Sequence, residues 1–268
     1  MRSSETETLT PASEAEAIEE FGDGRDVTVL AGGTILMPDV TYGRYPKGGR
    51  TLMLHRAGLE RVADNGVVTF GAMATLDAVM ASGVVPLAVA AGAVADVEIR
   101  GQATIGGNLC APPGVEAPRG DLQAPLVAMG ARVRSVGAGG ERTEPVEDYL
   151  AGGRDRLVLS IEVDRPGRGA YITQRRAHSH SYSVMAVAAA EVHGAVRIAA
   201  AGVAPNAVRL TGVEEALAGG ASGTDAAARW ADGVDGVDPH DDALASAWYR
   251  REVLPVLVAR TIEQLQGG

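Results

Sequence analysis

Short blocks of apolar and polar residues predict a chain of small helices and strands. The motif Ser13-x-x-Glu16 has the spacing of a capping box, which predicts a helix ending near Gly22 or Gly24. The apolar run 27–31 predicts a strand that leads directly into a pair of glycines. The same patterning predicts further strands at 51–54, 67–72, 131–136 and 157–163, and helices at 76–81, 86–95, 122–129 and 145–150.

A second group of elements follows the segment 164–169, whose turn-forming and charged residues are typical of a linker. The pattern beyond it predicts a meander of three strands, at 170–174, 184–192 and 195–203, with His193-Gly194 as a tight turn. Helices are predicted at 213–218 and 242–266, and Pro255 is expected to kink or split the second of them. The pattern therefore predicts an α+β fold, which we divide into domains at 1–55, 56–165 and 166–268.

Composition and charge exclude several classes of function. The chain is 46% hydrophobic and 22% charged, which is typical of a globular protein. Its formal net charge of −10 argues against a nucleic-acid partner, whose phosphates require a basic surface. No run of about 18 or more residues is apolar enough to span a bilayer, and the polar amino terminus lacks the apolar region of a signal peptide. We therefore expect a cytoplasmic protein with no membrane span.

Scarce residue types limit the chemistry further. Cys110 is the only cysteine, so an iron–sulfur cluster, which needs several thiolates, is not expected on this chain. Lys47 is the only lysine and does not belong to a Gly-Lys-Ser/Thr phosphate loop. His178 and His180 lie two residues apart with no carboxylate nearby, and we expect no metal site there. The Gly-x-Gly-x-x-Gly motif of a Rossmann dinucleotide site is also absent.

Two glycine segments are the strongest candidates for a binding site. The chain reads Ala-Gly-Gly-Thr-Ile at 31–35 and Thr-Ile-Gly-Gly-Asn at 104–108. Glycine has no Cβ and tolerates positive φ, so consecutive main-chain amides in such segments can approach an anion closely. Either segment alone could be an ordinary turn or a tight bend. Two of them facing each other could hold a pyrophosphate from both sides, which favours a bound dinucleotide.

Longer motifs around these segments resemble one protein family. The patterns Ala-Gly-Gly-Thr-x-Leu-x-Pro at 31–38 and Ile-Arg-x-x-Ala-Thr-Ile-Gly-Gly-Asn at 99–108 resemble the FAD-binding medium subunits of molybdenum hydroxylases, of the carbon monoxide dehydrogenase and xanthine dehydrogenase type. The likeness continues in Asp-Leu-x-x-Pro-Leu at 121–126 and Gly-Val-Ala-Pro at 202–205. It implies a two-subdomain, PCMH-like FAD-binding fold, followed by a small α+β domain with a three-stranded antiparallel sheet and helices.

The resemblance also implies how FAD is held. The two glycine segments would bind its pyrophosphate and the adjoining ribose or ribityl groups, and Asp121 would accept hydrogen bonds from its hydroxyl groups. An equally good interpretation of Asp121 is the N-cap of the helix at 122–129. Flavin electron transfer requires no catalytic acid or base, and we nominate none. The predicted cofactor-binding residues are Leu30, Ala31, Gly32, Gly33, Thr34, Ile35, Thr104, Ile105, Gly106, Gly107, Asn108 and Asp121.

The chain departs from the family pattern at two places. Thr173 stands where the family often has a lysine, so that a cationic contact to the flavin would depend on Arg175 or Arg176. The loop 111–120 carries extra prolines and a charged tip. Because this loop would border the cofactor, it could alter the access of an electron acceptor.

The resemblance implies an electron-transfer subunit of a molybdenum-containing hydroxylase or dehydrogenase complex. Its FAD would take electrons from a small iron–sulfur subunit and pass them to an acceptor such as NAD, oxygen or a quinone. A large molybdopterin subunit would activate the organic substrate. One alternative is a stand-alone FAD-dependent oxidoreductase acting on a small molecule, and another is a degenerate, non-catalytic assembly subunit. Protein that purifies yellow and releases FAD would support either flavin interpretation.

Overall fold

The chain folds around three separate β-sheets. The computed structural model describes residues 7–43, 49–112, 120–152, 155–176, 182–233 and 237–267. His178, His180 and most of the loop 111–120 lie outside the described residues. The division into domains at 1–55, 56–165 and 166–268 stays a prediction.

The first sheet is parallel and lies at the amino-terminal end of the chain. Ser13 caps its first helix as predicted, because the Ser13 hydroxyl accepts from the Glu16 amide at 3.2 Å and the Glu16 carboxylate accepts from the Ala12 amide at 2.8 Å. The sequence pattern did not predict the first strand, which is only three residues long. In sheet order the strands are β1 (Glu7–Leu9), β3 (Arg50–Met53) and β2 (Val27–Leu30), and the helices are α1 (Glu14–Phe21) and α2 (Leu36–Thr41).

The second sheet is antiparallel and carries the largest core. Phe21 of α1 and Leu52 of β3 pack together with Leu157 and Leu159, so the first sheet shares a core with the second. In sheet order the strands are β4 (Val62–Asp64), β5 (Val67–Gly71), β8 (Leu157–Asp164), β6 (Arg132–Gly137) and β7 (Gly140–Pro145). The helices are α3 (Leu76–Ala81), α4 (Leu87–Gly92), α5 (Val97–Gln102), α6 (Ile105–Leu109), α7 (Gln123–Ala128) and α8 (Val146–Ala151).

The third sheet is antiparallel and has four strands in place of the predicted three. The additional strand pairs only two residues with its neighbour, which is too short to produce a pattern in the sequence. The predicted turn at His193-Gly194 is present, and both residues have positive φ, 51° and 79°. In sheet order the strands are β12 (Val208–Arg209), β11 (Ala195–Ala201), β10 (Met185–Val192) and β9 (Gly169–Gln174), and the helices are α9 (Thr211–Ala218), α10 (Gly223–Ala227) and α11 (Ala247–Gly267).

The last helix begins later than predicted and is not divided at its proline. Helix α11 begins at Ala247, because Asp242 accepts hydrogen bonds from the amides of Leu244 and Ala245 and holds that segment in a turn. Helix α11 runs continuously through Pro255, so splitting, one of the two expected effects of this proline, is wrong, while a kink there stays a prediction.

A buried ion pair fixes α11 to the third sheet. The Arg250 guanidinium donates to an Asp242 carboxylate oxygen at 2.5 Å, and the two side chains are 0% and 3% exposed. The same guanidinium donates to the main-chain carbonyls of Val184 and Gly202. An enclosed charge of this kind depends on its partner, because no water can replace the carboxylate.

Removing the carboxylate is therefore expected to destabilise the fold strongly. Asp242→Ala should lower the free energy of unfolding by about 3–5 kcal/mol, since it leaves a buried cation uncompensated. Equilibrium unfolding in urea measures this. The exposed pair of Arg251 and Asp238, 3.8 Å apart, provides the matched control, and Asp238→Ala should change the same free energy by less than about 0.5 kcal/mol. Similar losses in the two variants would contradict this view of the ion pair.

Candidate functional site

The first glycine segment leaves β2 as an open turn. Gly33 has a φ of 73°, which glycine adopts without strain, and its carbonyl accepts from the Met37 amide at 2.9 Å. Within the described part of the chain, the amides of Gly32, Gly33, Thr34 and Ile35 donate no hydrogen bond to the protein. Four successive main-chain donors are thus available to a ligand, which is the arrangement that binds anions.

The second glycine segment is helical, and is neither the open donor loop nor the turn or tight bend expected from the sequence. The longer motif 99–108 contains the end of α5 and all of α6 except its last residue. Thr104 is the N-cap of α6, and its hydroxyl accepts from the Gly107 amide at 3.1 Å. The neighbouring amides of Ile105, Gly106 and Asn108 donate to main-chain carbonyls at 2.9 Å each. This segment therefore offers no free row of amides, and the expectation of two open, facing donor loops is wrong for this half.

The two segments nevertheless lie against each other. A Cβ built on Gly32 would be 2.0 Å from the Gln102 carbonyl oxygen and 3.1 Å from the Ala103 Cα. A Cβ on Gly107 would be 3.7 Å from that of Ala31. Glycine is required at position 32 by this contact, because any side chain would force the two main chains apart.

A cavity of about 390 Å³ opens between the segments. Most of the predicted binding residues line it, but Leu30, Ile105 and Asp121 do not. Leu30 ends β2, and Ile105 is fully buried in the core of the second sheet. The predicted residues that line the cavity are Ala31, Gly32, Gly33, Thr34, Ile35, Thr104, Gly106, Gly107 and Asn108.

The inner wall of the cavity is apolar and was not predicted. Phe21 of α1, Leu54 after β3 and Val158 of β8 contribute to it. These residues follow ordinary core patterns in the sequence, so nothing distinguishes them before the tertiary fold brings them together. Arg156 also lines the cavity, and its guanidinium donates to Ser135 and to the carbonyls of Ala138 and Gly140, which holds the β6–β7 hairpin in place.

Asp121 lies in a polar group beside the cavity and does not cap α7. Helix α7 has Leu122 at its N-cap position and no side-chain cap, so the N-cap interpretation of Asp121 is wrong. The Ser183 hydroxyl donates to the Asp121 carboxylate at 2.8 Å. Asn108 joins this group to the cavity wall, because its side-chain oxygen accepts from the Leu122 amide at 2.8 Å.

Burial dominates the electrostatics of this polar group. Removal of the Asp121 carboxyl from water raises its pKa, an effect opposed in part by the hydrogen bond from Ser183 and the positive charge of Arg175. The Tyr171 hydroxyl is also enclosed, and burial together with the negative charge of Asp121 raises its pKa. Burial therefore works against the charged forms of both groups.

The raised pKa of Asp121 predicts a dependence of stability on pH. A carboxyl that binds its proton more tightly when folded stabilises the protein below its ordinary pKa of 3.8, and this contribution is lost as pH rises through the folded-state pKa. Asp121→Asn removes the titration. The variant should therefore gain stability relative to the wild type as pH rises from about 4 to neutrality, measured by urea unfolding.

The control for this prediction is an exposed carboxylate with the opposite shift. Hydrogen bonds from the Arg25 main chain and side chain lower the pKa of Asp23. Asp23→Asn should therefore keep a nearly constant difference from the wild type over the same interval, because a lowered pKa changes stability mainly below the ordinary value of 3.8. A constant difference between Asp121→Asn and the wild type across this interval would contradict the assignment.

The described ranges show two further properties. No helix in them has both the length and the apolar character needed to cross a membrane. Among the same residues, no three His, Cys, Asp or Glu side chains come together where they could hold a metal ion.

Comparison with known proteins identifies the family. Residues 4–165 match the family model described as the FAD binding domain in molybdopterin dehydrogenase, and residues 170–265 match the CO dehydrogenase flavoprotein C-terminal domain. The uncharacterized protein YgfM of Escherichia coli (strain K12) is 33% identical over 200 residues, covering 73% of this chain and 72% of that protein. The carbon monoxide dehydrogenase medium chain of Hydrogenophaga pseudoflava is 27% identical over 274 residues, covering 94% of both.

Solved structures confirm the fold. The reconstituted CO dehydrogenase from Oligotropha carboxidovorans superposes with a TM-score of 0.84 at 23% identity, covering 100% of this chain and 99% of the matched chain. Quinoline 2-oxidoreductase from Pseudomonas putida 86 gives a TM-score of 0.82 at 21% identity, with the same coverage. The chain therefore belongs to the family of FAD-binding domains in molybdopterin dehydrogenases, and it is an FAD-binding medium subunit of the molybdenum hydroxylase type.

Proposed function

We propose that this chain holds FAD in the cavity between its two glycine segments and serves as the electron-transfer subunit of a molybdenum hydroxylase complex. One observation carries the proposal: four successive open amides, at Gly32, Gly33, Thr34 and Ile35, face a cavity that the second segment closes. Such a row of donors matches the oxygens of a diphosphate. The volume of about 390 Å³ is in the range of pockets that bind organic cofactors.

The remaining parts of the cavity also fit a dinucleotide. Phe21, Leu54 and Val158 provide an apolar wall for a planar ring, while Thr104 and Asn108 provide polar side chains near the open amides. When bound, the flavin supplies the ability to accept and release electrons. This chain's residues would hold the diphosphate, exclude water from the inner wall and fix the orientation of the rings.

We further propose that the complex contains an iron–sulfur subunit and a molybdopterin subunit. Three relatives carry the words "medium chain" or "complex subunit" in their names: the carbon monoxide dehydrogenase medium chain already described, the glyceraldehyde dehydrogenase medium chain of Sulfolobus acidocaldarius and the 6-hydroxypseudooxynicotine dehydrogenase complex subunit alpha of Paenarthrobacter nicotinovorans. This chain has one cysteine, whereas iron–sulfur clusters use several thiolates. Electrons would thus enter from a partner chain and leave to a small-molecule acceptor.

Two glycine variants test the proposed FAD site. Gly32→Ala should weaken FAD binding by at least about tenfold, equivalent to about 1.4 kcal/mol, because the added methyl group separates the open amides from the second segment. Gly101→Ala is the matched control, since its Cβ would meet only the Asp77 carboxylate at 3.7 Å and the residue lies within α5. Titration of the apoprotein with FAD, followed by flavin fluorescence, measures both affinities.

The outcome distinguishes the proposal from its alternatives. A wild-type protein that is colourless and cannot be reconstituted with FAD would contradict the proposal and would favour an assembly role. Equal affinities for Gly32→Ala and Gly101→Ala would contradict the assignment of the site.

Purification from the native host tests the partners. A tagged chain should recover an iron–sulfur protein and a large molybdopterin protein in fixed proportion. Recovery of a homomer that oxidises a small molecule by itself would contradict the subunit role and support a stand-alone oxidoreductase.

A further inference from the structure

Two arginines are buried in the described part of the chain, and they differ in whether a carboxylate neutralises them. Arg250 is 0% exposed and pairs with the Asp242 carboxylate. Arg156 is 7% exposed, and no carboxylate of the described residues forms an ion pair with it. Buried charges in folded proteins are normally paired. Arg156 is therefore a buried cation for which the described residues provide no counter-ion.

The hydrogen bonds of Arg156 satisfy its donors without neutralising its charge. Its Nε donates to the Ser135 hydroxyl at 3.0 Å. Its two terminal nitrogens donate to the carbonyls of Ser135, Ala138 and Gly140 at distances of 3.1, 3.2 and 2.7 Å. All of these acceptors are neutral groups. Because guanidinium groups stay protonated in proteins, a full positive charge remains enclosed beside the β6–β7 hairpin.

Arg156 belongs to the wall of the cofactor cavity, although its guanidinium is bonded to the hairpin behind that wall. The residue lines the cavity directly before β8. Its hydrogen-bond acceptors Ser135, Ala138 and Gly140 are not among the lining residues. The guanidinium therefore acts on a ligand in the cavity through its charge and not through a hydrogen bond. Such an effect is effective inside a protein, where the low dielectric constant lets a charge act well beyond hydrogen-bond distance.

The other charged residues of the cavity wall are acidic. Among the described residues that line the cavity, Asp39 and Asp155 are the charged ones besides Arg156. Both carboxylates would repel a bound anion. Asp155 is exposed, so water and salt screen much of its charge, whereas the charge of Arg156 is enclosed and screened little. The buried cation is therefore the lining charge that favours an anionic ligand.

We propose that the buried charge of Arg156 strengthens the binding of the cofactor's diphosphate and offsets the repulsion from Asp39 and Asp155. The proposal rests on the proposed FAD site. The open amides at 32–35 would hold the diphosphate by hydrogen bonds, and Arg156 would supply, from behind the wall, the full positive charge that main-chain amides lack. The ring system of oxidised flavin is uncharged, so the diphosphate carries the negative charge of FAD.

Two substitutions of Arg156 separate its charge from its hydrogen bonds. Arg156→Met removes the charge and should weaken FAD binding by at least about tenfold. Arg156→Lys keeps the charge but cannot reproduce the planar fork of donors, and its affinity for FAD should stay within about threefold of the wild-type value. Titration of the apoprotein with FAD, followed by flavin fluorescence, measures the dissociation constants. Equal losses in the two variants would show a purely structural role and would overturn the proposal.

A second pair of variants tests the charge without changing Arg156 itself. Ala138 is exposed, and its carbonyl accepts from the Arg156 guanidinium at 3.2 Å. Ala138→Asp adds a carboxylate beside the guanidinium and should weaken FAD binding by at least about threefold, because it neutralises the cation. Ala138→Asn has nearly the same size without the charge, so it is the matched control and should bind FAD like the wild type. Equal affinities of these two variants would overturn the proposal, also where neither Arg156 variant folds.

The same titrations separate this proposal from the proposed function. If the wild type binds no FAD, the proposed function fails and this inference fails with it. If the wild type binds FAD and Gly32→Ala weakens the binding, the proposed site is supported. Should the two Arg156 variants, or the two Ala138 variants, then bind FAD equally well, only this inference fails.

Discussion

The site depends on a close contact between two stretches of main chain that are about seventy residues apart in the sequence. Gly32 lies so near Gln102 and Ala103 that no side chain fits between them. The second stretch is in turn held by hydrogen bonds from Leu76 to the Ala103 carbonyl and from Ile105 to the Ala74 carbonyl. The second stretch is therefore held in place by main-chain hydrogen bonds, and it supports the turn at 31–35, whose amides are open. Without this contact, the free amides after β2 would face solvent, where water would satisfy them.

The two glycine segments thus have different physical roles, although they look similar in the sequence. In the first, glycine permits the positive φ of Gly33 and exposes amides. In the second, glycine permits close packing, because a Cβ on Gly106 would lie 2.8 Å from the Ala72 carbonyl oxygen. One segment offers main-chain donors for the proposed ligand, and the other shapes the cavity and carries Asn108, which lines it. Glycine is needed at position 33 for its backbone conformation and at position 106 because no side chain fits there.

Local signals made much of this fold predictable, and long-range contacts account for the rest. The caps at Ser13 and Thr75 and the turn at His193 were found from the sequence because each acts within a few residues. Thr104 caps a helix in the same way as Thr75, but its neighbouring glycines favoured a loop. The apolar wall of the cavity could not be found, because Phe21, Leu54 and Val158 come together only where distant elements meet.

Hydrogen–deuterium exchange with and without FAD tests the central claim most directly. The account predicts that FAD slows exchange at the amides of Gly32 to Ile35, which donate to no described residue of the protein. It predicts little change at Ile105 to Asn108, whose amides are already hydrogen-bonded. Protection of the second segment with none at the first, or no protection at either, would contradict the account.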